Sequence, residues 1–168
     1  MISTAHLIHG FVGAGKTTFA RKLERQHRAV RFTHDEWVHK LYGPNPQRDR
    51  FDELYARIDE LIWQLADRTL ELGVDVILDS GFWSRESRDR VRSHLRQLGA
   101  HVVLYNVTCP EGLMRQRVLK RTQEVPADSL WINEAAFDLF KGRFEPLGND
   151  EDSVLVDGSI ELVNGPDA

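Results

Sequence analysis

Gly10-Phe11-Val12-Gly13-Ala14-Gly15-Lys16-Thr17 fits the pattern G-x-x-x-x-G-K-[ST], in which glycines let backbone N–H groups turn inward around anionic oxygens. Lys16 adds a cation to such a nest, the Thr17 hydroxyl can hold Mg²⁺, and Ala14 and Thr18 complete the predicted nucleotide-binding stretch. Upstream, Thr4-Ala5-His6-Leu7-Ile8-His9 is a short, partly apolar run of strand length. Downstream, Thr17-Thr18-Phe19-Ala20-Arg21-Lys22-Leu23 reads as helix. Strand, glycine loop and helix form the setting this loop requires, because the helix start contributes its own unpaired N–H groups and dipole. The pattern therefore predicts a bound nucleoside triphosphate, with ATP and Mg²⁺ as the expected cofactors.

Outward from the loop, strand-like and helix-like segments alternate. Strands are predicted over 29–33, 74–78, 101–107 and 154–156. Phe51, Leu54, Tyr55, Ile58, Leu61, Ile62 and Leu65 recur at helical spacing, and Gly73 ends the helix they define. The expectation is an α/β chain: a three-layer P-loop NTPase fold with a five-stranded parallel sheet and a small helical lid. The 168 residues suit one domain, taken as 1–168 with the lid at about 117–130.

Composition narrows the class. The formal charge is −4, from 22 Lys and Arg against 26 Asp and Glu, which gives no overall pull toward nucleic acid. The start of the chain lacks a basic, apolar leader, and no stretch approaches the roughly 20 apolar residues of a membrane helix. With the lone Cys109 unable to form an internal disulfide, these features predict a cytoplasmic protein with no membrane partner. Nothing in the sequence specifies an oligomeric state.

Open α/β sheets bind ligands beyond the carboxyl ends of their strands, so the residues after each strand are the candidates. Asp79 follows Val76-Ile77-Leu78, where a carboxylate can stand beside Mg²⁺ with Thr17; the competing reading is a helix cap, for which Ser80 and Ser84 are better suited. Asp35 follows the second strand and is the candidate base for an acceptor hydroxyl, against an alternative as a helix N-cap. His34 and Glu36 are weaker candidates. Arg117 and Arg121, four apart on one helix face, can close over the triphosphate as part of the catalytic set with Lys16, unless that face is merely solvated. Residues 122–129, with Pro126, are expected to form the lid's turn. Arg85 and Arg88 are candidates to orient the acceptor, and Trp37 and Trp83 to flank it, although aromatics near strand ends are more often core. His6 and His9 show no ligand spacing with each other or with Cys109, so they carry no predicted metal.

The chain resembles the small P-loop kinases grouped around chloramphenicol phosphotransferase, the zeta toxins and the kinase domain of polynucleotide kinase. The likeness rests on the segments 10–20, T-H-D-E-W at 33–37, V-I-L-D-S-G-F-W at 76–83 and C-P-E-G-L-M-R-Q-R-V-L-K-R at 109–121. It implies a general-base role for Asp35 and lid roles for Arg117 and Arg121, hence ATP-dependent transfer of a phosphoryl group to a hydroxyl. A small-molecule acceptor is the leading expectation. A polynucleotide 5′-hydroxyl or a nucleotide sugar is the alternative within the enzyme class, and a nucleotide-switch ATPase without an acceptor is the alternative outside it. The segment 42–47 and the helix after it match no substrate motif.

Overall fold

The computed structural model describes residues 2–43, 51–124 and 132–160. In chain order the elements are β1 (Thr4–His9), α1 (Lys16–His27), β2 (Val30–Thr33), α2 (His34–Tyr42), α3 (Phe51–Glu71), β3 (Val76–Gly81), α4 (Arg85–Gln97), β4 (His101–Thr108), α5 (Glu111–Glu124), α6 (Glu134–Lys141) and β5 (Val154–Asp157). All neighbouring strands pair in parallel, in the order β2-β3-β1-β4-β5. The first strand thus lies at the centre, and the loop that follows it opens where the chain's winding direction reverses.

Period-two alternation distributes each buried strand between the two helical layers. Ala5, Leu7, Val76 and Leu78 meet Val38 of α2, Ile58 and Ile62 of α3 and Leu95 of α4 on one face. Ile8, Ile77 and Val107 meet Ala20 and Leu23 of α1 on the other. A third, smaller apolar group joins Phe11 of the glycine loop to Val118 of α5 and Phe137 of α6.

The long helix departs from expectation in its face. Its buried stripe is Leu54, Ile58, Ile62, Ala66 and Leu70, while Leu61 and Leu65 are exposed. Spacing alone cannot separate two overlapping apolar stripes; packing on β2 and β3 selects one. The third strand also starts later and runs further than predicted, through Gly81, so Asp79 belongs to the strand itself. Two expectations about the lid change. Helix α5 continues through Thr122–Glu124 rather than turning there, and residues 125–130 lie outside the described residues, as do residues 44–47 of the unmatched acceptor segment. Among the described residues, no helix is long and apolar enough to cross a membrane.

Candidate nucleotide and acceptor site

Helix α1 begins without a side-chain cap and without an acidic residue in its first turn. Its leading N–H groups and positive dipole end are therefore left for an external anion. Gly15, its N-cap, adopts φ 98°, a conformation that suits glycine and wraps the loop under those amides. Gly13, at φ 77°, packs so tightly on α5 that an added Cβ would stand 2.5 Å from the Met114 carbonyl oxygen. Gly13→Ala is expected to open the loop from α5 and weaken ATP binding at least tenfold. The strain is about 1–3 kcal/mol. Calorimetric titration with ATP checks it, and unchanged affinity would show that the loop does not need this close approach.

The Lys16 ammonium donates to the Phe11 carbonyl at 3.0 Å, which leaves further donors for phosphate. Burial lowers its pKa, opposed by the carboxylates of Asp79 and then Asp35, with the Arg121 guanidinium adding to the depression. Asp79 is buried, and burial raises its pKa against the pull of Lys16 and a hydrogen bond from the Thr17 hydroxyl. Its Oδ2 has no hydrogen-bond partner among the described residues. A threonine hydroxyl on one carboxylate oxygen, with the other oxygen buried and unsatisfied, is a donor set that fits Mg²⁺.

Asp35 stands exposed in the first turn of α2, whose N-cap is Thr33 and not Asp35. It lies in electrostatic reach of Lys16, Asp79 and Tyr55. Its neighbours are committed elsewhere. Glu36 takes both outer nitrogens of Arg31 at 3.0 Å and one of Arg21 at 3.0 Å. His34 bonds Ser80 Oγ through Nδ1 at 2.9 Å and stacks on the Tyr55 ring.

The two predicted lid arginines part company. Arg121 is the one whose charge reaches Lys16. Arg117 instead donates to the carbonyls of Gly158 at 2.7 Å, Gly13 at 3.4 Å and Ser159 at 3.4 Å, and so ties the glycine loop to the turn after β5. Beyond them, Thr122 Oγ1 donates to the Ile132 carbonyl at 2.8 Å and brings the start of the α6 region back onto α5. Thr18 sits exposed in the first turn of α1, the Gly10 N–H donates to the Gly81 carbonyl at 3.4 Å, and the Ala14 N–H donates to the Phe11 carbonyl at 3.2 Å.

The acceptor candidates need correction. Arg88 is 1% exposed, forms a two-pronged pair with Glu151 at 2.8 Å and 2.8 Å, and donates to the carbonyls of Phe82, Trp83, Glu145 and Pro146. Every donor is used inside the fold, so it holds the segment around 145–151 against α4 and does not meet an acceptor. Arg85 is held at the surface by Asp89 at 2.7 Å and Asp150 at 2.8 Å. Trp83 packs among Phe11, Phe140 and Phe144, and Trp37 against Phe32. Both rings serve apolar clusters.

Tyr55 is the residue the sequence reading used only as part of an apolar stripe. Burial raises its hydroxyl pKa, and the carboxylates of Asp35, Asp59 and Asp79 raise it further. A phenol kept protonated near three carboxylates is a hydrogen-bond donor within electrostatic reach of Asp35. A tyrosine among the helical apolar positions was the available signal.

The family model described as "AAA domain" matches residues 6–147 of the chain. Comparison with curated proteins finds no significant match. Among solved structures, a protein of Chloroflexus aurantiacus provisionally described as a kinase is similar with a TM-score of 0.76 at 18% identity, covering 95% of this chain and 90% of its own. Chaetomium thermophilum Kti12, solved in complex with ADP-AlF3, gives 0.71 at 19% identity, over 91% of this chain and 88% of its own. A gluconokinase from Sinorhizobium meliloti 1021 gives 0.62 at 14% identity, over 95% and 85%. At these identities the likeness is one of fold, that of P-loop kinase-like domains.

Proposed function

The chain belongs to this AAA-domain family, and we propose that it acts within it as an ATP-dependent kinase that phosphorylates a hydroxyl group of a small molecule. The observation that carries this reading is the convergence of Lys16, Asp35 and Asp79 at one strand-end rim. A switch ATPase needs the first and third of these but has no use for a solvent-facing carboxylate beside them.

In this reading the loop amides and the start of α1 seat the phosphates, and Lys16 and Arg121 balance charge on the transferred group. Thr17 and Asp79 would hold Mg²⁺, which when bound neutralises phosphate charge. Asp35 accepts the proton of the acceptor hydroxyl as its oxygen bonds to the γ-phosphorus and the bond to the β-phosphate bridge oxygen breaks, releasing ADP. Tyr55 donates to the acceptor and helps to fix its angle. Arg117 braces the loop from outside. The net charge of −4 favours a small acceptor over a polynucleotide.

Purified protein incubated with γ-labelled ATP and a panel of sugars, sugar acids, aminoglycosides, chloramphenicol-like alcohols and 5′-hydroxyl oligonucleotides tests the proposal. Label is expected on one class of small alcohol. Transfer to the oligonucleotides alone, or ATP hydrolysis with no labelled acceptor, overturns it.

A further inference from the structure

His6 stands in the central strand with its side chain on the face that α1 covers, and it is 2% exposed. Its Nδ1 lies 3.1 Å from the Tyr105 hydroxyl, while Nε2 is buried with no hydrogen-bond partner among the described residues. Burying an imidazole nitrogen unsatisfied is costly unless something else completes it. Two potential ligands are at hand. The ring of His27, the last residue of α1, is centred 4.7 Å from that of His6, and Asp75 lies at the foot of β3. One ligand atom from each of His6, His27 and Asp75 can be chosen so that no two are more than 4.8 Å apart.

We propose that His6, His27 and Asp75 form a site for a divalent transition-metal ion of the zinc class, separate from the nucleotide site. Two imidazoles and one carboxylate match the preference of Zn²⁺, Co²⁺ or Ni²⁺ and differ from the all-oxygen shells of Mg²⁺ and Ca²⁺. The supporting contacts are already in place. Tyr105 orients His6 by holding Nδ1, and the Thr4 amide donates to Asp75 Oδ1 at 2.6 Å, so both rigid ligands are fixed by groups behind them. His27 is exposed, which gives the ion a route from solvent and gives the site one mobile arm that can close the remaining distance.

Helix polarity adds to this. The ion would sit at the carbonyl end of α1, where partial negative charge favours a cation. The phosphate loop occupies the other end of the same helix, roughly 16 Å away by its length, so the two sites share a helix and no ligand. Burial, with the neighbouring His27 second and His101 a lesser contribution, pushes the His6 pKa down to about 4 against the pull of Asp75, which leaves the ring neutral as a ligand requires. Metal on Nε2 sets the tautomer in which Nδ1–H donates to the Tyr105 oxygen. The bound ion would fasten α1 to the amino-terminal ends of β1 and β3.

The test uses tag-free, nucleotide-free protein and Zn²⁺ followed by calorimetry, with Co²⁺ absorption as a report of tetrahedral nitrogen ligation. One ion per chain is expected, with a rise in Tm of about 5–10 °C at a hundredfold excess over Kd. His27→Ala removes an exposed ligand without touching the core and is expected to weaken binding at least about tenfold and to abolish the Tm rise. Asp79→Asn, at the other end of α1, should bind Zn²⁺ as the parent does. Absence of stoichiometric binding, binding that His27→Ala leaves intact, or binding that Asp79→Asn removes would each overturn the assignment.

Discussion

Asp35→Asn is expected to lower the rate of phosphoryl transfer by about 10²–10⁴ while ATP still binds. The substitution keeps the size of the side chain and its place in the first turn of α2, where Thr33 is the cap, so helix stability changes little. It removes the proton acceptor. It also removes a negative charge that both Lys16 and Asp79 sense, so affinity for the triphosphate should hold or rise slightly. Steady-state transfer to the acceptor found by the labelled-ATP panel, set beside calorimetric titration with ATP, separates the two effects. An unchanged transfer rate would remove Asp35 from the chemistry, and slow acceptor-free hydrolysis unaffected by the change would favour a nucleotide switch.

Arg88→Met is expected to destabilise the fold by about 3 kcal/mol, a fall in Tm of about 6–12 °C. The cause is not lost packing, since methionine fills much of the same volume. It is Glu151, whose side chain is fully buried and would lose its two-pronged partner, keeping Arg92 at 2.9 Å and the Gly148 N–H at 3.0 Å, while the carbonyls of Phe82, Trp83, Glu145 and Pro146 each lose the Arg88 hydrogen bond. Replacing Glu151 by leucine in the same chain should recover part of the loss, because a buried pair replaced whole costs less than one broken. If the single change leaves Tm untouched, the pair is not holding the 145–151 segment. The pair also sets an acid limit. Its hydrogen bonds from Arg88 depress the Glu151 pKa from 4.5 to about 2, so this contribution is complete above pH 4.5 and is lost as pH falls from there toward 2. Acid unfolding followed by circular dichroism should shift to higher pH in Glu151→Gln.

The glycine loop, the strand before it and the helix after it were legible because their spacing is local: amides that point inward need glycine at set intervals, and a strand and helix beside them show as period two and period 3.6. The positions of Asp79 and Asp35 were legible for a related reason, since strand ends in a parallel sheet share one rim. Other residues escaped. Tyr55 and Leu61 have the same helical spacing, and only packing of α3 on the sheet puts one inside and the other out. Arg88 and Arg85 have similar neighbours in sequence, yet one is sealed by Glu151 and four carbonyls and the other meets surface carboxylates.

By itself the sequence determined the α/β alternation, the phosphate loop and the carboxylates on the carboxyl rim of the sheet, because backbone geometry and side-chain periodicity act over a few residues. Tertiary structure alone decided that the charge of Arg121 reaches Lys16 while Arg117 braces the loop, that Arg88 is internal, and that His6 meets His27 and Asp75. Each of those outcomes depends on the distance between segments far apart in the chain, which is set by how the helices pack on the two faces of the sheet and by no local pattern of residues.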